Sequence, residues 1–530
     1  MFDGFHPVTR DWFDACFDKP TSAQTGAWHH IVQGRSTLLM APTGSGKTLA
    51  AFLYALDRLM FTAHQREPGC RVLYISPIKA LAVDVERNLR APLTGLQAVA
   101  KRVGAAARPL TVAIRSGDTP QAARARMAKA PPDILITTPE SLYLMLTSKV
   151  RSILQTVDVV IIDEIHALVP SKRGTHLFLS LERLEALRTG TEPLQRIGLS
   201  ATQRPLEDVA RLLGGGVVRD GRVEARPVEV VDVGEHKQLD LEIHVPTADM
   251  VNFQLEEDFD LDVAMQGEGL TSDGQARSIW PLIYPKLVEQ IQNHRSTLIF
   301  VNARRSAERL AAAINEVAGD EIARAHHGSL AHNVRAEIED LLKRGQLPAI
   351  VATASLELGI DMGAIDLVVQ VEAPPSIAAG LQRVGRAQHH VGGIPKGVTY
   401  PKFRGDLMVC AAASRAMLDG LIESTQYPRN PLDVLAQQIV AMISMADTTT
   451  DALFDQVRQA APYHDLSRGL FESVLDMLSG RYPSDDFAEL KPRITWDRIS
   501  GELQQRKGAQ RLAIINGGTI PDRGLYGVFL

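Results

Sequence analysis

The chain is poor in cysteine and has no long apolar run. Cys16, Cys70 and Cys410 are its three thiols in 530 residues, and they lie far apart. They form neither a disulfide framework nor the paired spacing of a zinc site, so they read as ordinary thiols suited to a reducing cytoplasm. No stretch approaches the ~18 consecutive apolar residues of a membrane span. The N-terminal Met1-Phe2-Asp3-Gly4 lacks the basic start and apolar core of a secretory signal. A soluble, intracellular protein is expected. A basic excess is missing too: 57 Lys and Arg stand against 62 Asp and Glu, a net charge of -5 with pI near 6.3. Composition therefore leaves no polyanion-binding footprint, and any such partner has to be argued from motifs. Repeats of solenoid period and low-complexity tracts are also absent.

What is present is size and alternation. At 530 residues, 45% of them hydrophobic, the chain has room for about three to four domains. Short Val-, Ile- and Leu-rich runs at 36–40, 71–76, 111–115, 133–138, 157–162 and 196–199 alternate with helix-like segments such as 48–60 and 175–187. Runs like Val157-Asp158-Val159-Val160-Ile161-Ile162 are nearly all apolar, as strands covered on both faces of a parallel sheet are. The pattern predicts a doubly wound α/β domain. It lapses from about Val231 to Arg277, an acidic, irregular stretch holding Glu256-Glu257-Asp258-Phe259-Asp260-Leu261-Asp262. This reads as the start of a second domain plus a surface insertion. Strand-like runs resume at 297–301, 349–352 and 366–371, so a second α/β domain is expected. From Pro431 the pattern is mostly helical. It ends on an alternating stretch, Arg511-Leu512-Ala513-Ile514-Ile515, and an apolar run at 524–530, a stop that reads as truncation. The expected division is 1–230, 231–425 and 426–530, the last incomplete.

The strongest motif is Ala41-Pro42-Thr43-Gly44-Ser45-Gly46-Lys47-Thr48, set between a strand-like and a helix-like run. A phosphate-binding loop requires that context, and it argues against a Gly-rich turn that binds nothing. The segment Thr43, Gly44, Ser45 and Gly46 lets backbone N–H groups cradle phosphates, and a helix N-terminus favours the anion. Lys47 would reach the β- and γ-phosphates of ATP, and Thr48 would bind Mg2+ through its hydroxyl. Asp163-Glu164-Ile165-His166 closes the run 157–162. A carboxylate at a strand's C-terminal end points into the crevice where such sheets bind ligands. Asp163 would hold Mg2+, directly or through water. Glu164 would orient and deprotonate the attacking water. Alone, an Asp-Glu pair at a strand end is usually a solvated loop; following a P-loop at this distance, it is not. Leu199-Ser200-Ala201-Thr202 follows another apolar run, and its small hydroxyl residues can link an ATP site to a second domain. Alone they would mark a turn.

Together these three elements resemble motifs I, II and III of superfamily 2 helicases, and the remaining motifs follow in order. Phe17-Asp18-Lys19-Pro20-Thr21-Ser22-Ala23-Gln24 resembles the adenine-reading Q-motif, which implies that Gln24 hydrogen-bonds the adenine edge. Ser76-Pro77-Ile78-Lys79-Ala80-Leu81 resembles motif Ia, Thr137-Thr138-Pro139-Glu140 motif Ib, and 297–302 motif IV. The run 352–361 resembles motif V, with Gly359 and Asp361 placed in the ATP-binding set. Gln382-Arg383-Val384-Gly385-Arg386 resembles motif VI. The chain is similar to the large helicase-related (Lhr) family of bacterial and archaeal DNA helicases. The likeness is carried by 76–81, 138–142, Ala325-His326-His327-Gly328-Ser329-Leu330, 359–362, 430–438 and 518–524. That resemblance implies two RecA-like doubly wound parallel-sheet domains, then a mostly helical winged-helix domain from near Pro431 and more chain beyond. One departure stands out. Motif VI of the wider family carries Gly after Arg-Ala, whereas this chain reads Arg386-Ala387-Gln388-His389-His390. If that glycine has a positive φ, Gln388 strains the loop by about 1 kcal/mol or more and lowers activity, with Arg383 and Arg386 intact.

The resemblance implies a motor. Arg383 and Arg386 would reach the γ-phosphate, where a planar, permanent charge matches the developing phosphate charge. Nucleic acid would be touched by Pro77, Lys79, Thr138, Pro139, Asn302, His327, Gly328 and Thr353. These residues offer mainly backbone amides and hydroxyls with a single lysine, a set that reads phosphates and sugars in any sequence. A motor that slides along a strand can do without a strongly basic whole, because tight phosphate binding opposes movement. Arg124, Arg126 and Lys129 could add phosphate contacts, although a solvated helix face is the plainer reading. The histidines at 326, 327, 389 and 390 have no metal-like partners and read as structural or exposed. The expected partner is single-stranded DNA or a tailed duplex, with RNA:DNA hybrids among the substrates and movement 3′ to 5′. An RNA helicase and an ATP-gated clamp that remodels ribonucleoprotein without separating strands stay open, since no residue visibly reads a 2′-OH. The space between motifs V and VI, 372–380, is too short for a strand-separating hairpin.

Overall fold

A computed structural model describes residues 2–42, 44–62, 69–201, 203–234, 238–248, 250, 279–358, 365–388, 393–481, 491–518 and 520. Thr43, Thr202, most of the acidic insertion, Gly359, Asp361, His389, His390 and the apolar run 524–530 lie outside the described residues. The chain divides into two compact units. Met1–Ala41, Gly46–Val233 and Ser424–Leu530 form one; Pro42–Ser45 and Gly234–Glu423 form the other.

The first unit is built on strands β1 (Thr37–Met40), β2 (Val72–Ile75), β3 (Val112–Arg115), β4 (Ile134–Thr137), β5 (Val159–Ile162) and β6 (Gln195–Ser200), a hairpin of β7 (Gly216–Arg219) and β8 (Arg222–Ala225), and β9 (Glu229–Asp232). Seven of them form one sheet in the order β3-β4-β2-β5-β6-β1-β9, every pair parallel. Five of these strands are buried at every position, which is why they read as continuous apolar runs and not as alternating ones. Successive side chains still part to opposite faces. Leu39, Tyr74, Ile136 and Ile161 meet the helices Pro7–Cys16, Ser22–Ile31, Lys47–Phe61 and Lys79–Val103. Leu38, Met40, Leu73, Ile75 and Val160 meet the helices Pro139–Leu146, Lys172–Leu187 and Leu206–Gly214.

Residues 424–530 join this unit. Their antiparallel sheet, β16 (Thr448–Thr449), β17 (Ile494–Trp496) and β18 (Glu502–Gln505) in the order β16-β18-β17, sits among the helices Leu432–Ile443, Thr450–Arg458, Arg468–Ser479 and Ala509–Ile515. Tyr143 and Leu179 share a core with Leu435, Ile439 and Phe471. A buried polar bridge crosses the same contact: Arg183 Nη1 donates to Gln438 Oε1 at 2.8 Å, and Gln438 Nε2 donates to the His176 carbonyl at 3.1 Å. The alternating stretch 511–515 is helical. Ala509 and Ala513 face inward four residues apart, while Ile514 and Ile515 are exposed, a spacing that five residues cannot separate from strand alternation.

The second unit holds β10 (Asp240–Ile243), β11 (Thr297–Phe300), β12 (Ala323–His326), β13 (Ala349–Ala352), β14 (Leu367–Val371) and β15 (Lys396–Tyr400). They form a parallel sheet in the order β10-β15-β14-β11-β13-β12. Ile299, Val351, Val369 and Val398 pack against the helices Trp280–Asn293 and Arg304–Ala318. The architecture is thus two doubly wound parallel α/β sheets and a winged-helix module. Among the described residues, no helix is long and apolar enough to cross a membrane.

Candidate active site

Because the first sheet is parallel and in register, the loops that follow its strands gather along one edge. Met40 pairs with Ser200, and Ile75 pairs with both Thr137 and Ile162. Residues 163–166, 76–79 and 138–139 therefore start from neighbouring strand ends, where open α/β sheets bind ligands.

The loop after β1 turns on two left-handed glycines, Gly44 at φ +80° and Gly46 at φ +79°, a conformation that costs only glycine nothing. Gly46 caps the helix Lys47–Phe61. A Cβ on it would stand 2.6 Å from Gln24 Nε2. Gln24 is fixed by a capping box, donating its N–H to Thr21 Oγ1 at 3.2 Å and accepting the Thr21 N–H on Oε1 at 3.0 Å. Its carbonyl end thus serves the helix and its amide end rests on the phosphate-loop glycine. The Ser45 hydroxyl donates to the Pro42 carbonyl at 2.7 Å. Lys47 is buried and donates to the Ala41 carbonyl at 2.5 Å, lying back across its own loop. Thr48 follows it as the second residue of the helix, half-buried.

Asp163 ends β5 with its N–H donated to the Ile75 carbonyl at 2.9 Å. Its Oδ1 accepts the Glu164 N–H at 3.0 Å and its Oδ2 accepts the Tyr74 hydroxyl. Burial and the adjacent Glu164 carboxylate push the Asp163 pKa up, against the pull of Tyr74 and Lys47. A buried carboxylate pair beside an ammonium is a donor set for a divalent cation. Glu164 is a left-handed non-glycine, φ +45°, a strain of ~1–3 kcal/mol of the kind held at functional sites. His166 links this turn to the end of β6. Its Nδ1 accepts the Ala201 N–H at 3.3 Å and lies 3.3 Å from Ser200 Oγ and 3.5 Å from Glu164 Oε2.

Pro77 and Lys79 follow β2, and Thr138 and Pro139 follow β4; the Ser76 N–H donates to the Thr137 carbonyl at 2.9 Å, setting the two segments side by side. Lys79 Nζ pairs with Asp118 at 2.6 Å, both exposed. Thr138 is the N-cap of the helix Pro139–Leu146, with Oγ1 3.2 Å from Ser141 Oγ. Arg124 donates to the Ser116 and Gly117 carbonyls at 3.1 and 2.9 Å, bracing the loop that carries Asp118. Arg126 and Lys129 lie exposed on a helix with no fully buried residue.

In the second unit, Asn302, His327 with Gly328, and Thr353 stand past the ends of β11, β12 and β13. Asn302 and Arg383, expected to serve different ligands, bond each other. Arg383 is 2% exposed; it donates Nε to Glu357 Oε1 at 2.7 Å and Nη1 to Asn302 Oδ1 and Gln370 Oε1 at 2.9 and 2.8 Å, over the Phe300 ring. In this structure it ties the loops after β11 and β13 to the strand β14. His327 faces Glu308 at 2.6 Å and accepts the Ser329 N–H on Nδ1. Thr353 N–H donates to the His326 carbonyl at 3.3 Å, and Gly328 is open, with nothing within 4 Å of where a Cβ would stand. Arg386 is buried just past the helix Ile377–Val384. Gln388 adopts φ +46° while donating its N–H to the Ile365 carbonyl at 2.9 Å, the strained conformation that a glycine there would relax. Tyr74 and the Asn302–Gln370–Glu357 cradle carry no sequence signal, since each acts through a neighbour distant in the chain.

Three family models match: DEAD/DEAH box helicase over residues 21–209, helicase conserved C-terminal domain over 282–390, and large helicase-related protein winged helix domain over 415–530. The chain is 49% identical to the Lhr helicase/probable uracil glycosylase of Mycolicibacterium smegmatis across 99% of its own length and 35% of that protein. It is 40% identical to the ATP-dependent helicase Lhr-Core of Methanothermobacter thermautotrophicus across 98% and 58%. It therefore spans about a third of the first relative and under three fifths of the second. The solved Mycobacterium smegmatis helicase Lhr bound to ssDNA and AMP-PNP superposes with TM-score 0.86 at 50% identity, covering 100% of this chain and 64% of that one. The chain belongs to the large helicase-related (Lhr) family of superfamily 2 helicases.

Proposed function

We propose that the chain is an ATP-dependent 3′-to-5′ single-stranded DNA translocase that unwinds DNA or RNA:DNA duplexes in a DNA-repair setting. The observation that carries it is the meeting of Lys47, Asp163 and Glu164 on one sheet edge, in an Lhr-family chain whose solved relative holds ssDNA and AMP-PNP. Residues 1–230 and 231–425 are read as the two RecA-like domains and 426–530 as the winged-helix domain. Gly44, Ser45 and Gly46, with Thr43, present amides to the triphosphate of ATP, and Lys47 exchanges the Ala41 carbonyl for the β- and γ-phosphates. Asp163 and Thr48 would hold Mg2+, which would supply charge neutralisation at the phosphates. Glu164 takes the proton of the attacking water, and the His166 bridge passes its state to Ser200 and Ala201. Gln24 reads the adenine; Gly359 and Asp361 complete the nucleotide set. Arg386 stabilises the γ-phosphate charge from just past the helix Ile377–Val384, which Arg383 ties to Glu357, Asn302 and Gln370. Pro77, Lys79, Thr138, Pro139, Asn302, His327, Gly328 and Thr353 meet phosphates and sugars.

ATPase stimulation by single-stranded DNA, and displacement from 3′-tailed but not 5′-tailed duplexes, test the reading. Lys47→Ala and Glu164→Gln abolish hydrolysis with the fold intact, and Arg386→Ala lowers kcat by about a thousandfold. Full hydrolysis in Lys47→Ala or Glu164→Gln ends the assignment. Stimulation by RNA alone would select an RNA helicase, and stimulation without unwinding a clamp.

A further inference from the structure

Among the described residues of the first unit, one buried charge has no opposite charge beside it. Arg183 sits near the end of the helix Lys172–Leu187 and is 7% exposed. Its Nη1 donates to Gln438 Oε1 at 2.8 Å and its Nη2 to Thr147 Oγ1 at 3.1 Å, both neutral acceptors, and its guanidinium lies 5.4 Å from the Tyr143 ring centre. The carboxylates of its own helix and of the helices packed on it are engaged elsewhere. Glu182 and Glu185 hold Arg196, Glu140 holds Arg173, and Asp433 holds Lys172. Burial lowers the Arg183 pKa to about 10, and the charge of Arg151 adds to that lowering against the pull of Tyr143. An arginine stays charged even so, and a buried charge without a counter-ion is costly.

Beside Arg183 lies a cleft of about 320 Å³ between this helix and the winged-helix module, at the small end of ligand-sized cavities. Arg151 lines it too, donating Nη2 to the Met445 carbonyl at 3.4 Å. Leu146, Leu187, Met442 and Leu453 supply apolar walls. Asp447 is the one carboxylate in the lining; it is exposed and, among the described residues, makes no ion pair with either guanidinium. Two guanidiniums against that one carboxylate leave the lining cationic by a single charge. We propose that the cleft binds an organic monoanion, its carboxylate on Arg183 and Arg151 and its apolar body against the leucines and Met442. The planar guanidinium fork matches a carboxylate. One surplus charge between apolar walls suits a monoanion and not a phosphate dianion. The bound head group supplies the counter-charge that Arg183 lacks. None of the cleft's residues is among those assigned to ATP or nucleic acid, so the proposal stands apart from the motor reading.

The test is isothermal titration of the 530-residue chain with 4-phenylbutyrate, and with 4-phenylbutanol as its uncharged counterpart. The acid binds saturably, one per chain, and the alcohol binds about tenfold more weakly or worse, because it forfeits a charge-assisted hydrogen bond. Arg183→Gln loses the acid by a similar factor. That variant also disturbs the Gln438 bridge, so Met442→Trp, which fills the cleft and keeps both arginines, is titrated beside it, with circular dichroism and urea melts reporting that each is folded. Met442→Trp loses the acid as well. Acid and alcohol bound alike would make the cleft merely apolar, acid binding undiminished in Met442→Trp would place it elsewhere, and a wild type without saturable binding would leave Arg183 a structural bridge alone. Each of the three overturns the proposal.

Discussion

Tyr74 is a core residue by burial and a site residue by its hydroxyl. It stacks on Phe52 of the helix Lys47–Phe61, with ring centres 5.0 Å apart, and bonds Asp163 Oδ2, so one phenol ties β2, that helix and the Asp163 carboxylate, the proposed Mg2+ ligand, together. Removing such an orienting partner typically costs about tenfold or more in metal affinity. Tyr74→Phe keeps the stack and should raise the Mg2+ concentration for half-maximal ATPase by about that factor, with kcat at saturating Mg2+ little changed; an unshifted titration refutes the role. Lys47, Asp163 and Glu164 were legible in the sequence because a local motif carries each. Tyr74 was not, because an apolar run hides a phenol whose partner is 89 residues away. Gln388 was legible as a departure from a glycine pattern, and its φ of +46° supplies the reason. Gln388→Gly relieves that strain and also loosens the unfolded chain, so the two effects offset to within about 1 kcal/mol. Gln388→Val, whose branched Cβ resists a positive φ, should cost more than that in urea melts.

At the scale of elements, the strands that announced themselves are those buried at every position, such as β2 (VLYI) and β5 (VVII). β12 reads Ala-Arg-Ala-His and has no branched apolar residue. β15 is diluted by Gly397, where a Cβ would stand 2.9 Å from Val384 and which therefore has to stay small. The helix Lys172–Leu187 shows why a helix pattern underdetermines its partners. It buries apolar residues against the sheet, yet its Arg183 points into the winged-helix module and is held by Gln438 and Thr147, with burial lowering its pKa to about 10. Gln438 also donates to the His176 carbonyl and to Ser180 Oγ. Gln438→Leu fills a similar volume but leaves the guanidinium without one of its acceptors. It should lower the stability of the first unit by about 2–3 kcal/mol, as expected for a buried charged group stripped of a partner. Gln438→Glu supplies a charged acceptor in the same place and should recover part of that loss; equal melts for Gln438→Leu and wild type would mean that the bridge is not holding the contact.

At the scale of the molecule, residues 424–530, which include the winged-helix domain expected at 426–530, share a core with the first sheet's helices, and nothing local in sequence marks Tyr143 and Leu179 as the seat of Leu435 and Ile439. Beside that shared core lies His176, buried against Tyr143 with ring centres 4.6 Å apart. Burial, and then Arg183, hold its pKa down at about 4, against the weaker opposing pull of Glu140. An unfolded chain takes up a proton on this imidazole near pH 6.5, whereas the fold resists it to about pH 4. Between those values the unfolded state binds the extra proton, so the fold loses stability as pH falls across the window, by up to ~3 kcal/mol from this group. Of the four tryptophans, Trp12, Trp28 and Trp496 lie in this unit and Trp280 in the other, so tryptophan fluorescence in urea follows mainly the right transition. The wild type should lose stability steeply from pH 6.5 to 4. His176→Phe, which keeps a ring against Tyr143 but cannot titrate, should show a shallower slope whatever its absolute stability. Parallel pH profiles for the two proteins would place the acid sensitivity elsewhere, and the buried imidazole would then be a spectator of the contact and not its weak point.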